Sequence, residues 1–139
     1  MLASSVSPRA LHSKSLTLQQ NQFDEAWVMG DRRNLRNLFH NILKNAMRYT
    51  PARGIITVTL RNVDDQVVVS IKDTGIGISA AEQLLIFERF YRVNKARSRN
   101  EGGGGPGLSI CRHIVNEHGG SIKVKSMLNN GSTFRITHP

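Results

Sequence analysis

The sequence predicts a single α+β domain in which four to six strands and a few helices share one core. Three observations lead to this fold class. The chain has 139 residues, 39% of them hydrophobic, which is the size of one domain with a sizeable core. One long segment repeats its apolar residues at helical spacing. Two pairs of short segments rich in β-branched residues occupy the middle and the end of the chain, which indicates strands.

Residues 1–20 lack sustained hydrophobic periodicity. They are rich in Ser, Leu and Gln, so we expect a mobile tail or linker that ends in a short strand at "SLTLQQ", residues 15–20. The folded domain is then expected to span residues 21–139. A further short strand is expected at "AWVM", residues 26–29.

The longest helix is expected from Asp31, a suitable N-cap, to the residues just before Pro51. Its apolar stripe consists of Leu35, Leu38, Phe39, Ile42, Leu43 and Ala46. Beside it runs a polar stripe made of Asn34, Asn37, Asn41, Asn45 and Arg48. Asparagine is a poor helix former, so propensity does not explain this stripe. It is either a solvated face or a site at which Asn45 offers its carbonyl oxygen to a hard cation such as Mg²⁺.

A β-hairpin is expected next, with strands at "GIITVTLRN" and "QVVVSIKD" joined by the turn-like "VDD". The segment "DTGIGI", residues 73–78, follows the second strand directly. It is either an ordinary tight turn or a base-binding loop. In the second case the Asp73 carboxylate accepts from an exocyclic amine, which selects adenine, and Gly75 and Gly77 let a flat base approach the backbone.

The second half of the chain supplies the remaining elements. We expect a short helix at "SAAEQLLIF", an irregular loop from Phe87 to Gly105, a helix at "GLSICRHIVNEHGG" and strands at "GSIKVKS" and "GSTFRIT". The glycines of "EGGGGPGLSI", residues 101–110, lack the Gly-Lys-Ser/Thr ending of a P-loop. They are either a linker or a phosphate cradle formed by loop amides and the next helix N-terminus. Too little chain follows for a separate domain, which favours the cradle.

Composition limits the class of partner. The 19 Lys and Arg exceed the 10 Asp and Glu, a formal net charge of +9, so the partner is expected to be anionic: nucleic acid, acidic lipid, acidic protein or nucleotide. Motifs typical of nucleic-acid binding are missing, and we expect no nucleic-acid partner. The single cysteine, Cys111, excludes a disulfide within the chain. Nothing therefore suggests an oxidising compartment, and we expect a cytoplasmic location. No apolar run approaches the roughly 18 residues of a membrane span, so we expect no membrane insertion.

Four segments in order carry a family resemblance. "NILKNAMRYTP", "DTGIGI", "FERFYRV" and "GGGGPGLSI" resemble the N box, first glycine box, F box and second glycine box of the ATP-binding catalytic domain of bacterial two-component sensor histidine kinases, a branch of the GHKL ATPase superfamily. The resemblance spans residues 24–137. It implies the Bergerat fold, a two-layer α/β sandwich in which a mixed, mainly antiparallel sheet packs on about three helices, with a mobile ATP lid. ATP and Mg²⁺ are the implied cofactors.

The resemblance also implies roles for individual residues. Asn45 matches the Mg²⁺ ligand and Asn41 its companion, while Arg48 and Arg92 match basic residues near the phosphates, and these four are the implied catalytic set. Phe87, Phe90 and Tyr91 match the aromatic F box. The implied nucleotide-binding residues are Asn45, Asp73, Gly75, Gly77, Ile78, Tyr91, Gly103, Gly105, Gly107 and Leu108.

Departures from the family pattern refine the function. Asn41 stands where hydrolysing relatives carry a glutamate that activates water, so transfer to a histidine is expected instead. The phosphoacceptor box and its dimerisation hairpin are not found, which implies a histidine on a separate domain or chain, with a response regulator acting indirectly. Pro106 and Gly104 predict weakened nucleotide affinity. A regulatory module, an anti-sigma-type serine kinase, an inactive fragment and a nucleic-acid-binding domain stay open, as does a parent kinase anchored in the inner membrane.

Overall fold

The computed structural model describes residues 14–23, 30–88 and 107–139. These residues form a mixed sheet whose inner face packs on helices, as expected for a two-layer sandwich. The elements run in the order β1 (Thr17–Phe23), α1 (Arg32–Tyr49), β2 (Ile55–Val63), β3 (Gln66–Asp73), α2 (Ala80–Gln83), α3 (Gly107–Glu117), β4 (Ser121–Ser126) and β5 (Ser132–His138).

The described strands lie in the order β1-β2-β3-β5-β4. β1 runs parallel to β2, and the other three neighbouring pairs are antiparallel. This arrangement confirms the mixed, mainly antiparallel sheet. β1 crosses the expected boundary between residues 20 and 21, so residues 17–20 take part in the sheet. The strand expected at residues 26–29 lies outside the described residues.

Helix α1 begins and ends where the sequence predicts. The Asp31 side chain caps its first turn by accepting a hydrogen bond from the backbone N–H of Asn34, at 3.0 Å. The helix ends at Tyr49, and the next residue, Thr50, has an extended backbone conformation. The Thr50 hydroxyl donates to the carbonyl of Ala46 at 2.6 Å. This hydroxyl satisfies one of the carbonyl groups that a helix end leaves without a partner.

The predicted hairpin is formed by β2 and β3, with Val63 opposite Gln66. The two residues between them, Asp64 and Asp65, have φ values of 48° and 64°. Two consecutive positive φ values are the conformation of the turns that suit the right-handed twist of a hairpin. The hairpin thereby fixes the register that brings Asp73 to the end of β3, opposite Ile56.

Helix α2 is shorter than the nine residues predicted for it, because it ends at Gln83. The N–H groups of Leu85 and Ile86 both donate to the carbonyl of Glu82, at 2.8 and 3.0 Å. A bond to the third residue back tightens the chain into a 3₁₀-like turn. This turn carries Ile86 into the core, where it is 2% exposed, and leaves Leu84 in solvent.

The core lies between the inner face of the sheet and the helices α1 and α3. Its fully buried side chains include Leu38, Ile42, Leu43, Ile56, Ile71, Cys111 and Phe134. Burial raises the pKa of the Cys111 thiol to about 12. At the end of α3, Gly119 has a φ of 72°, and the N–H of Gly120 donates to the carbonyl of Val115 at 3.0 Å. Glycine thus ends this helix, as predicted.

His118 joins the two main helices at the end away from Asp73. The backbone N–H of Asp31 donates to His118 Nε2 at 3.1 Å. Because Nε2 is the acceptor, the ring proton is on Nδ1, which donates to the carbonyl of Ile114 at 2.8 Å. One neutral imidazole therefore connects the start of α1 with the last turn of α3.

Among the described helices, none combines the length and the apolar character needed to span a membrane.

Candidate functional site

Asp73 is the central residue of the candidate site. It is the last residue of β3, and its side chain is buried on the inner face at 4% exposure. Its Oδ1 accepts hydrogen bonds from the backbone N–H groups of Gly75 at 2.8 Å and of Ser132 at 3.2 Å. Burial raises the pKa of this carboxyl, and the two backbone N–H groups partly offset the rise. Both bonds end on Oδ1, which leaves Oδ2 as an acceptor for a ligand.

The loop formed by residues 74–79 follows Asp73 and is held from two sides. The N–H of Ile76 donates to the carbonyl of Tyr49, at the end of α1, at 3.1 Å. On the other side, the carbonyl of Ile76 accepts from the N–H of Asn129 at 2.7 Å. The loop is therefore clamped between the end of α1 and the β4–β5 turn, residues 127–131, which keeps the Asp73 carboxylate in one position.

Ser126 and Gln83 strengthen this clamp. The Ser126 hydroxyl accepts from the N–H of Ile78 at 2.7 Å and donates to the carbonyl of Gly131 at 2.9 Å. The Gln83 amide donates to the carbonyls of Ile78 and Ser126 at 2.8 and 2.9 Å. Neither residue was predicted from the sequence, and neither belongs to a motif. Their polar side chains at the ends of β4 and α2 are the only signal that the sequence offers.

The glycines of this loop are required by internal packing, whether or not they also admit a base as the sequence predicts. A Cβ on Gly75 would lie 2.4 Å from the carbonyl oxygen of Tyr49, and a Cβ on Gly77 would lie 2.1 Å from that of Met127. Gly77 also has a φ of 75°, which side chains disfavour. Internal packing thus already requires glycine at both positions. Gly131 packs in the same way, since its Cβ would lie 2.0 Å from the carbonyl oxygen of Asp73.

The polar stripe of α1 divides into two parts. Asn34 and Asn37 are exposed, whereas Asn41, Asn45 and Arg48 are half-buried. The half-buried part includes the residues of the expected metal and phosphate site. Asn41 also lies close to the start of α3, because a Cβ on Gly107 would lie 3.9 Å from Asn41 Oδ1. The structure therefore brings a residue of the first sequence box close to the fourth box, at the start of α3.

Lys14 fastens the last turn of α1. Its ammonium group donates to the carbonyls of Met47 at 3.0 Å and of Arg48 at 3.1 Å. The carbonyl of Lys14 itself accepts from the N–H of Arg53 at 2.9 Å. A cation at the C-terminal end of a helix is favourable because the helix carries partial negative charge there. The segment before β1 thus supports the helix that bears Asn45 and Arg48.

The other predicted site residues lie as follows. Phe87 is half-buried and packs edge-on against Phe134, with ring centroids 6.3 Å apart. Ile78 is buried at 7% exposure, and Leu108 packs on the core from the first turn of α3. The remaining predictions concern residues outside the described part of the chain, namely the expected lid and Phe90, Tyr91, Arg92, Gly103, Gly104, Gly105 and Pro106.

A magnesium ion fits the donors available here. The Asn45 side chain offers a neutral amide oxygen, the kind of hard ligand that Mg²⁺ accepts while it keeps waters and phosphate oxygens in its shell. An adenine base fits at Asp73, because Oδ2 of this 4% exposed residue accepts no hydrogen bond from the described residues and lies beside a loop whose backbone is already fixed. Helix α3 begins next to Asn41, and a helix N-terminus attracts phosphate.

Comparisons with known proteins agree with this geometry. The sequence profile of the family described as histidine kinase-, DNA gyrase B-, and HSP90-like ATPase matches residues 30–139. The sensor histidine kinase RppB of Synechocystis sp. is 44% identical over 83% of this chain and 25% of its own length. The signal transduction histidine-protein kinase ArlS of Staphylococcus aureus is 48% identical over 71% of this chain and 22% of its own. The chain spans about a quarter of these relatives.

Solved structures give the same result. The mycobacterial sensor histidine kinase MprB superposes with a TM-score of 0.86 and 30% identity, covering 99% of this chain and 92% of that chain. The catalytic domain of histidine kinase ThkA superposes with a TM-score of 0.79 and 28% identity, covering 94% and 84% of the two chains. The family resemblance and the sandwich fold are confirmed. This chain belongs to the histidine kinase-, DNA gyrase B-, and HSP90-like ATPase family, as an ATP-binding catalytic domain of the sensor-histidine-kinase type.

Proposed function

We propose that this domain binds ATP with Mg²⁺ and transfers the γ-phosphate to a histidine on a separate domain or chain. The observation that carries the proposal is the Asp73 carboxylate, which is buried, held through Oδ1 and left with Oδ2 for a ligand. The exocyclic amine of adenine donates to such an oxygen. Guanine has a carbonyl at the corresponding position, and two acceptors facing each other repel, so the site is expected to select adenine.

The phosphates are proposed to lie between α1 and the start of α3. The proximity of Gly107 to Asn41 supports this arrangement, because the free N–H groups of a helix start and its partial positive charge both favour a phosphate. Asn45 would hold the Mg²⁺ ion, which neutralises phosphate charge when bound. Arg48 and Arg92 are proposed to add positive charge near the γ-phosphate, and Tyr91, Gly103 and Gly105 to contribute nucleotide contacts.

Transfer to histidine fits the side chains better than hydrolysis does. In the reaction, an imidazole nitrogen of the acceptor forms a bond to the γ-phosphorus, the bond from that phosphorus to the bridging oxygen breaks, and ADP leaves. Such a transfer depends mainly on positioning and charge stabilisation. Asn41 has no basic group with which to deprotonate water. Its presence therefore favours attack by the imidazole nitrogen of the acceptor histidine, which needs no base to become a nucleophile.

The comparisons support the partners of this proposal. The chain spans about a quarter of RppB and ArlS, so an acceptor histidine elsewhere in a longer parent, or in another chain, is compatible with them. One solved structure is described as ThkA in complex with the response regulator protein TrrA, which supports a response regulator as the indirect partner. We place the domain in the cytoplasm, whether or not its parent is anchored in the inner membrane.

A calorimetric titration with Mg²⁺ and a non-hydrolysable ATP analogue tests the site. We compare the unchanged chain with Asn45→Ala and with Asn37→Ala, an exposed asparagine of the same helix. Losing a contact worth about 1.4–3 kcal/mol lowers affinity roughly 10- to 150-fold. Asn45→Ala should show this loss only when Mg²⁺ is present, and Asn37→Ala should show none. Equal affinities for all three proteins would refute the assignment of Asn45.

The acceptor is tested separately with ATP labelled on its γ-phosphate. The domain is mixed with a histidine-bearing dimerisation domain of a sensor kinase or with a serine-bearing acidic partner protein. Acid-labile label on the first supports histidine transfer, because phosphohistidine is hydrolysed by acid and phosphoserine is not. Acid-stable label on the second favours the serine-kinase alternative, and binding without any transfer favours a regulatory module.

A further inference from the structure

The outer face of the sheet, which points away from α1 and α3, carries a cluster of cations. Lys72 is paired with Thr133, and Thr133 with Lys125 on its other side. Two residues further along the same strands, on the same face, Arg135 is paired with Lys123. Residues directly opposite each other project from the same face of a sheet. We call Lys72, Lys123, Lys125 and Arg135 the basic face, and all four side chains are exposed.

The basic face is not neutralised by the described part of the chain. None of its four cations forms an ion pair with another described residue. The alternation of strand residues turns Asp73 to the buried inner face, while Asp64 and Asp65 lie in the β2–β3 turn at the other end of the strand. The outward positions of the five described strands contain no Asp or Glu. Within the described part of the chain, this face therefore carries four positive charges without a carboxylate beside them.

Fold stability does not explain this arrangement. Arg135 and Lys123 lie directly opposite each other, and like charges in that position are destabilising. Lysines on an edge strand such as β4 prevent pairing with other sheets, which accounts for Lys123 and Lys125. It does not account for Lys72 and Arg135, because β3 and β5 both have neighbours on each side. The positive charge at the centre of the sheet thus points to a ligand.

The residues between the cations indicate which anion fits. Ser70 and Thr133 separate the charges, so neither an aromatic nor an apolar side chain lies among the four cations. Protein interfaces rely on aromatic or apolar side chains at their centre, and single-stranded nucleic acids on aromatic stacking. Duplex DNA is read by a helix or ribbon that enters a groove. A broad sheet face with charges and hydroxyls suits an extended layer of anions.

We propose that the basic face docks on anionic lipid headgroups at a bilayer surface, without insertion. A lysine or arginine near such a surface contributes about 1 kcal/mol, which is roughly a fivefold gain in partitioning. The side chain of Asp73 points to the opposite face of the sheet, so docking leaves the candidate nucleotide site open. The proposal does not depend on nucleotide binding and goes beyond the catalytic function.

Vesicle co-sedimentation of the 139-residue chain tests the proposal. We compare phosphatidylcholine vesicles with vesicles that also contain phosphatidylglycerol, at low salt and at about 1 M salt, where the screening length falls to about 3 Å. The unchanged chain should bind only the anionic vesicles and only at low salt. Lys72→Gln with Arg135→Gln, and Lys123→Gln with Lys125→Gln, should each lower the partition coefficient roughly 30-fold, and all four together roughly 10²- to 10³-fold.

The matched control removes the same charge elsewhere. Arg32, Arg33, Arg36 and Arg112 are exposed on the helices, and their replacement by Gln should lower partitioning less than fivefold. An equal loss in this control would overturn the proposal, because net charge and not the basic face would then drive binding. No binding of the unchanged chain to anionic vesicles would overturn it as well.

If the basic face binds duplex DNA or an acidic protein and does not bind vesicles, the lipid proposal is overturned and the ligand is of that other class. The two pairwise variants keep the test valid if the fourfold variant does not fold.

Discussion

Gly77→Ala is the substitution that most directly tests how the loop at residues 74–79 is held. In the structure, an added Cβ would lie 2.1 Å from the carbonyl oxygen of Met127 and 2.7 Å from its carbon. Both atoms belong to the backbone of the β4–β5 turn, so a rotamer change cannot relieve the contact. The φ of 75° adds a conformational cost for any residue with a side chain.

The magnitude follows from these two contributions. A left-handed backbone costs alanine about 1–2 kcal/mol relative to glycine. Forcing an extra methyl group into a packed region costs a further 1–3 kcal/mol, roughly. Gly77→Ala should therefore lower the free energy of unfolding by about 2–5 kcal/mol. Gly119→Ala is the matched control, because Gly119 has a φ of 72° but only an ordinary contact at 3.9 Å. It should show the first contribution alone, about 1–2 kcal/mol.

Urea unfolding followed by circular dichroism measures both variants beside the unchanged chain. The expected result is a clearly larger loss for Gly77→Ala than for Gly119→Ala. Equal losses would refute the clamp between the loop and the β4–β5 turn. If Gly77→Ala kept full stability but lost nucleotide affinity, glycine would be needed at this position to let the base approach the backbone, as the sequence alone suggested, and not for internal packing.

Three further predictions concern the parts of the fold that support the site. Lys14→Met should lower the free energy of unfolding by about 1–2 kcal/mol, because it removes the cation at the end of α1, whereas Lys44→Met should not. His118→Ala should cost about 1–2 kcal/mol through its two lost hydrogen bonds, and His113→Ala, exposed on α3, should cost almost nothing by the same assay. The buried Cys111 thiol, with a pKa of about 12, should react with a thiol reagent only as fast as the protein unfolds; a fast reaction in the folded state would contradict its burial.

The elements with strong local patterns could be predicted from the sequence. Helix α1 has both an N-cap and an apolar stripe, and the β2–β3 hairpin has two β-branched runs around a short turn. The extent of β1 could not be predicted in this way. Residues 19–21 of this strand are exposed and polar, and its parallel partner β2 lies more than thirty residues further on, with Thr17 opposite Ile55. A polar edge strand lacks the alternation of polar and apolar residues from which a strand can be predicted.

The candidate site was predictable only in part. Asp73 stands out as a carboxylate at the end of a strand, next to glycines, and the sequence boxes give Asn41, Asn45 and Arg48 their expected place. The groups that hold Asp73 and its loop do not stand out. Ser132 bonds to Asp73 from 59 residues away, and Ser126 bonds to Ile78 from 48 residues away. Such contacts follow from the sheet order, which local patterns do not contain.

The glycines illustrate the same limit. Gly75 and Gly77 are recognisable as a motif, and the sequence suggested that a ligand requires them. The structure gives a sufficient reason within the protein itself, since Tyr49 and Met127 occupy the space that a Cβ would need. The glycines of a motif can therefore be required for a packing reason that only the three-dimensional structure reveals.

The most direct test of the nucleotide site is a calorimetric comparison of adenine and guanine nucleotides with the unchanged chain and with Asp73→Asn. The substitution keeps the size of the side chain but removes the charge that faces the exocyclic amine. The unchanged chain should bind the non-hydrolysable ATP analogue and not the GTP analogue, and Asp73→Asn should bind the ATP analogue at least tenfold more weakly, a loss of about 1.4 kcal/mol. Equal binding of both nucleotides, or unchanged affinity in Asp73→Asn, would contradict the role of Asp73 as the adenine acceptor.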